Sequence, residues 1–77
     1  MKVRLSKSDD AVVGEVQAQC RQYGKVMRVL LERDHAGRRI AQVFASSETG
    51  AADIADKLGG VRIHLSVRIP LEPAIDD

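Results

Sequence analysis

Aromatic side chains are almost missing from this sequence. Tyr23 and Phe44 are its only two, and tryptophan is absent from all 77 residues. Aromatic cages and stacking platforms need more rings than that. Cysteine is equally scarce. Cys20 stands alone, so no internal disulfide can form and nothing argues for secretion. One cysteine and two histidines at unrelated spacing also speak against a zinc site. No apolar run approaches the roughly 20 residues that a bilayer demands. Residues 1–7 alternate in polarity and lack the apolar centre of a signal peptide. Twelve basic against eleven acidic residues leave a net charge of +1, unlike a simple basic nucleic-acid binder.

What remains has the composition of one small globular domain, 44% hydrophobic and 30% charged. Residues 2–6 alternate, with Val3 and Leu5 on one side, as in a half-buried strand. Ser8, Asp9 and Asp10 suit a helix start, and Val12, Val13, Val16 and Cys20 recur at helical spacing up to Tyr23. Gly24 suits the end of that helix. Residues 26–33 and 38–45 read as the arms of a hairpin around Asp34-His35-Ala36-Gly37. Ser46-Ser47 caps a second helix striped by Ala51, Ala52, Ile54, Ala55 and Leu58, and Gly59-Gly60 stops it. Strict alternation from Val61 to Ile69 predicts one long last strand ending at Pro70.

The order is β-α-β-β-α-β. It predicts an α+β, ferredoxin-like sandwich (RRM-like), a four-stranded antiparallel sheet with both helices on one face. The domain spans residues 1–71, and 72–77 form a flexible acidic tail.

The stretch Val16-Gln17-Ala18-Gln19-Cys20-Arg21-Gln22-Tyr23-Gly24-Lys25-Val26 resembles the end of helix one in RNA-recognition motifs. Its spacing V-x-x-x-C-x-x-Y-G-K-V is closer still to the U2AF homology motif, a peptide-binding variant. Within that variant it is most similar to the group of the forty-five-kilodalton splicing factor and the DNA-damage repair/toleration proteins. The resemblance runs from about Val3 to Ile69. It implies a nuclear, non-enzymatic protein–protein interaction domain in pre-mRNA splicing or DNA repair. The implied partner is a short basic linear motif with a tryptophan.

Registering Ala41 and Val43 on the core positions of strand three puts Ile40 and Gln42 where an RNA-recognition motif carries stacking rings. Arg4 takes the equivalent place on strand one, and Phe44 also points outward. Base stacking, at about 1–3 kcal/mol per base, is thereby largely lost, and the expectation turns from RNA to peptide. The peptide-binding positions implied by the resemblance are Glu15 and Gln19 on helix one, with Arg62, Ile63 and His64 at the start of strand four. The family's Arg-x-Phe element falls on Val61-Arg62-Ile63 or on Arg62-Ile63-His64, depending on alignment.

Each position has a plainer reading beside the functional one. Glu15 suits a solvated helix carboxylate, His64 a surface strand residue, Cys20 a small buried hydrophobe and Tyr23 a packing residue. Strand alternation also gathers Arg4, Arg28, Arg38, Arg62, His64 and Arg68 on the open sheet face, opposed there by Glu32. Asp9, Asp10, Glu15, Glu48, Asp53 and Asp56 gather on the helices. The alternative function is therefore weak binding of single-stranded RNA or DNA through Arg4, Arg28, Arg38 and Arg68. Against that, arginines also solubilise an open sheet and guard it from association. No cofactor, metal or membrane is expected as a partner. No paired carboxylates, Gly-rich phosphate loop or metal-ligand cluster points to catalysis.

Overall fold

The computed structural model describes residues 1–74. It is an α+β chain with β1 (Lys2–Arg4), α1 (Asp9–Cys20), β2 (Val26–Arg33), β3 (Arg39–Ala45), α2 (Glu48–Leu58), β4 (Val61–Ile63), β5 (Ser66–Pro70) and β6 (Glu72–Ala74). Ser8 caps α1 by accepting from the Ala11 amide, and Asp9 and Asp10 lie in the positively polarised first turn. Ser47 does the same for α2 toward Gly50, and Gly59 ends that helix at φ 72°. The first helix stops at Cys20, three residues before the predicted end, and its chain tightens into turns through Gly24.

A four-stranded antiparallel sheet runs in the order β2-β3-β5-β4. Two features of it depart from the sequence reading. The long last strand is broken at His64, where a positive φ of 56° lets the chain fold back. Val61, Arg62 and Ile63 then face Arg68, Val67 and Ser66. The unbroken alternation hides this break, and His64-Leu65 carries no glycine to mark the turn. The two-residue turn reverses which residues face the helices, so Val61 and Ile63, in phase with the buried Val67 and Ile69 along the chain, end on the opposite side. The first strand is also outside the sheet. It pairs in parallel with β6, Lys2 opposite Glu72 and Arg4 opposite Ala74. Residues 72–74 are thus a strand and not part of a tail; 75–77 lie outside the described residues. Leu71 donates its amide to Arg39, and Glu72 donates to Met1. Successive amides of an extended chain point to opposite sides, so β1 sits across the β5–β6 segment from β3.

The core is one apolar layer between sheet and helices. Val12, Val16 and Cys20 of α1 and Ala51 and Ile54 of α2 meet Val29, Ala41, Val43, Ala45, Val67 and Ile69, and Val3 and Leu71 close one end. None of the buried residues is aromatic. A fully buried Val or Ile side chain contributes about 1.5–3 kcal/mol, so the core relies on many small side chains fitted closely.

Arg39 fastens the end that the core does not reach. Its guanidinium, 12% exposed, donates to the Lys7 carbonyl at 2.7 Å and the Arg4 carbonyl at 2.9 Å, and lies 3.5 Å from Asp9. Arg33 donates to the same Asp9 at 3.1 and 3.2 Å. The hairpin base thereby holds both the loop after β1 and the start of α1. Hydrogen bonds from a charged donor are worth about 1.5–3 kcal/mol each.

Gly24 is needed for a contact and not as a helix cap. A Cβ there would stand 2.8 Å from the Cα of Gly50, where the end of α1 meets the start of α2. Gly14, inside α1, has open space around it. In urea denaturation, Gly24→Ala is expected to lower stability by about 1–3 kcal/mol through overpacking. Gly14→Ala is expected to raise it by about 0.5–1 kcal/mol. Equal effects of the two would contradict this packing.

Candidate functional site

Both helices lie over one face of the sheet, and register decides what the other face shows. Directly opposed residues of antiparallel neighbours share a face. Arg28, Phe44, Ser66 and Ile63 form one row across the helix-free side. Leu30, Gln42, Arg68 and Val61 form the next, and Glu32, Ile40 and Pro70 the third. Val61 and Ile63 are 64% and 65% exposed. Leu30, Ile40 and Phe44 are half-buried. The outward placement of Ile40, Gln42 and Phe44 agrees with the sequence register. Val61 was not legible as a residue of this face, because the turn that brings it beside Arg68 leaves no mark in the sequence.

The charge on this face is small. Arg68 donates to Glu32 at 3.0 Å, and the two compensate each other. Among the described residues Arg28 makes no ion pair, and it stands at the corner of the first row. The six-membered basic set expected on the open face is therefore reduced to Arg28 and Arg68. Arg4 lies on β1, away from the four-stranded sheet. Arg38 belongs to the hairpin turn, where its Nε donates to Asp34 at 3.0 Å. Arg62 faces Val67 and so takes the helix side of the edge, its Nη1 donating to the His64 carbonyl. His64 sits in the β4–β5 turn with Nδ1 3.1 Å from the Glu48 carboxylate of α2.

The peptide-binding positions do not converge either. Glu15 pairs with Lys7 at 2.6 Å, and Gln19 follows one turn later on α1. That helix packs on β2, whereas Arg62, Ile63 and His64 belong to β4 and its turn. Edge strands β2 and β4 are three strand spacings apart, about 14 Å. Ile63 alone of the five reaches the helix-free face.

A groove of about 310 Å³ lies at the hairpin end, lined by Val3, Leu5, Arg33, Arg38, Arg39 and Pro73 among others. Its three arginines are all engaged, with Asp9, Asp34 and the carbonyls of Arg4, Lys7 and Gly37. The Arg38 amide, with help from the Arg38 side chain and the Ala36 amide, holds the Asp34 carboxyl below its usual range. These contacts shape the turn. They leave no side chain directed at a ligand.

Among the described residues no group of three or more His, Cys, Asp or Glu could hold a metal, and no buried side-chain polar atom lacks a partner. No described helix is long and apolar enough to cross a membrane. Comparison with protein-family models, curated proteins and solved structures finds no match to this chain.

Cys20 is buried in the core, as the helical stripe suggested, and burial pushes its thiol up to about 11. The protonated form is favoured by folding. That contribution is present below the unfolded value near 9 and is lost as pH rises through about 11. A chromogenic aromatic disulfide at pH 8 is expected to leave the native protein unmodified and to react promptly once urea unfolds it. Rapid reaction with the native protein would contradict the burial.

Proposed function

We propose that the chain is a non-enzymatic interaction domain that binds a short protein segment across the helix-free face of its sheet. The reading keeps the β-α-β-β-α plan of the ferredoxin-like, RRM-like sandwich and adds a closing hairpin. The observation that supports it is the three-row face itself. Leu30, Ile40, Phe44, Val61 and Ile63 stand on it among Gln42, Ser66 and the Arg68–Glu32 pair. Hydrophobes gathered on one open face of a small protein are a usual mark of a partner.

The chemistry of the face selects the anchor. A side chain lying over Ser66 meets Phe44 on one side and Ile63 on the other, with Arg68 beside it, and a tryptophan gains most area there. The basic flank implied by the U2AF-homology resemblance finds little to hold. Glu32 is the only carboxylate in the three rows and its charge is already balanced in part by Arg68, while the uncompensated Arg28 repels a cation. The preferred segment therefore carries an apolar anchor with uncharged flanks. Placement in a nuclear splicing or DNA-repair assembly rests on the resemblance in residues 16–26. Nucleic-acid binding is less well supported, because one ring and one uncompensated arginine offer little stacking and few phosphate contacts.

A titration followed by amide chemical shifts tests the reading with three probes. They are a tryptophan peptide with uncharged flanks, the same peptide with basic flanks, and a single-stranded oligonucleotide. The uncharged peptide is expected to move Leu30, Gln42, Phe44, Val61 and Ile63, and Phe44→Ala to weaken it about tenfold or more. Shifts at Glu15, Gln19, Arg62 and His64 with the basic peptide alone would overturn this face in favour of helix one. A salt-sensitive response to the oligonucleotide alone would overturn it in favour of nucleic acid.

A further inference from the structure

The two edges of the sheet are unlike. Strand β4 is three residues long and ends in the tight turn at His64. Strand β2 runs for eight residues, Val-Met-Arg-Val-Leu-Leu-Glu-Arg, without proline or lysine, and among the described residues no strand covers its outer side. Proteins normally blunt a long edge with charged side chains, proline, a bulge, a cover or shortness. Here the devices are the register break between Val26 and Arg28, which leaves residues 28–33 regular, and the charges of Arg28, Glu32 and Arg33, which are of both signs and so can pair as well as repel.

Hydrogen bonding fixes which backbone groups are open. The Asp34 amide donates to the Arg38 carbonyl, so Asp34 turns its backbone toward the β3 side. Direction alternates along a strand, which turns Arg28, Leu30 and Glu32 toward β3 as well. The amides and carbonyls of Val29, Leu31 and Arg33 are left pointing outward.

We propose that this edge pairs antiparallel with the same edge of a second copy, about a two-fold axis at Leu30. The sequence of β2 complements itself in that register. Leu30 faces Leu30 of the second copy in the close, non-hydrogen-bonded position. Val29 faces Leu31 and exchanges two hydrogen bonds with it, using the groups that are open. Arg28 faces Glu32, and the symmetry makes this pair twice. Glu32 can hold Arg68 and the incoming Arg28 together, because a carboxylate has about four acceptor sites. Moving the register by two residues would place Arg28 opposite Leu30 or Asp34 and bring Leu30 against Arg28 or Glu32. The centre at Leu30 is therefore preferred. The ladder ends where Met27 meets Arg33, at the register break. The product is a continuous eight-stranded sheet whose two helix-free faces join. It is an isologous contact, closed at two copies. This inference goes beyond the binding reading and does not depend on it.

Sedimentation across a wide concentration range tests it on the intact chain. The native chain is expected to pass from monomer to dimer as concentration rises. Arg28→Glu alone and Glu32→Arg alone each place like charges opposite one another twice. Each should weaken dimerisation about tenfold or more. Mixed in equal amounts, the two variants restore both opposite-charge pairs in a heterodimer, whose affinity should return to within about threefold of the native one. Arg28→Glu breaks no ion pair within the described residues, so its circular dichroism and urea midpoint should match the native monomer. A native chain that stays monomeric at millimolar concentration would overturn the proposal. So would dimers unaffected by either charge reversal, or a mixture no tighter than its components.

Discussion

Strand β3 is the constraint on which the rest of this structure depends. Its odd residues, Ala41, Val43 and Ala45, are buried beneath two helices, and its even residues, Ile40, Gln42 and Phe44, are held on the opposite side. A slip of one residue would exchange the two sets and put a phenylalanine and a glutamine into a core built for alanine and valine. Because β3 pairs with β2 on one side and β5 on the other, its alternation is copied outward in both directions. Val29 and Val67 join Val43 inside; Leu30, Arg68 and Val61 join Gln42 outside.

Arg39, the first residue of β3, links that alternation to the rest of the chain. It reaches the carbonyls of Arg4 and Lys7, while Asp9 accepts from both Arg39 and Arg33. The short β1 forms its strand pairing with β6 and would be weakly held without this clamp. The charged groups at the hairpin end are thus bound to one another. That is why the most arginine-rich corner of the molecule is less suited to a ligand than the nearly neutral sheet face.

Much of the plan was legible because local rules and tertiary structure agree. The caps at Ser8 and Ser47, the αL residue at Gly59 and the inward Ala41 and Val43 all follow from short-range pattern. What was not legible depends on contacts distant in sequence. The turn at His64 hides inside an unbroken alternation, and it moves Arg62 to the other side of the sheet and Val61 onto the open face. Arg39 looked like one more strand arginine, since the carbonyls it binds lie more than 30 residues away. The site residues carried over from the resemblance were separated for the same reason. Their spacing along the chain says nothing about which edge of the sheet each one joins.

The two proposed contacts, across the helix-free face and along the edge of β2, both depend on the register of β2. Residue-resolved amide exchange along that strand measures it directly. In dilute solution Leu30 and Glu32 should be protected by β3 while Val29 and Leu31 exchange rapidly. In concentrated solution all four should be protected as the second copy pairs. An alternation that persists unchanged at high concentration would contradict the self-complementary edge, and rapid exchange at Leu30 and Glu32 would contradict the register of the sheet itself.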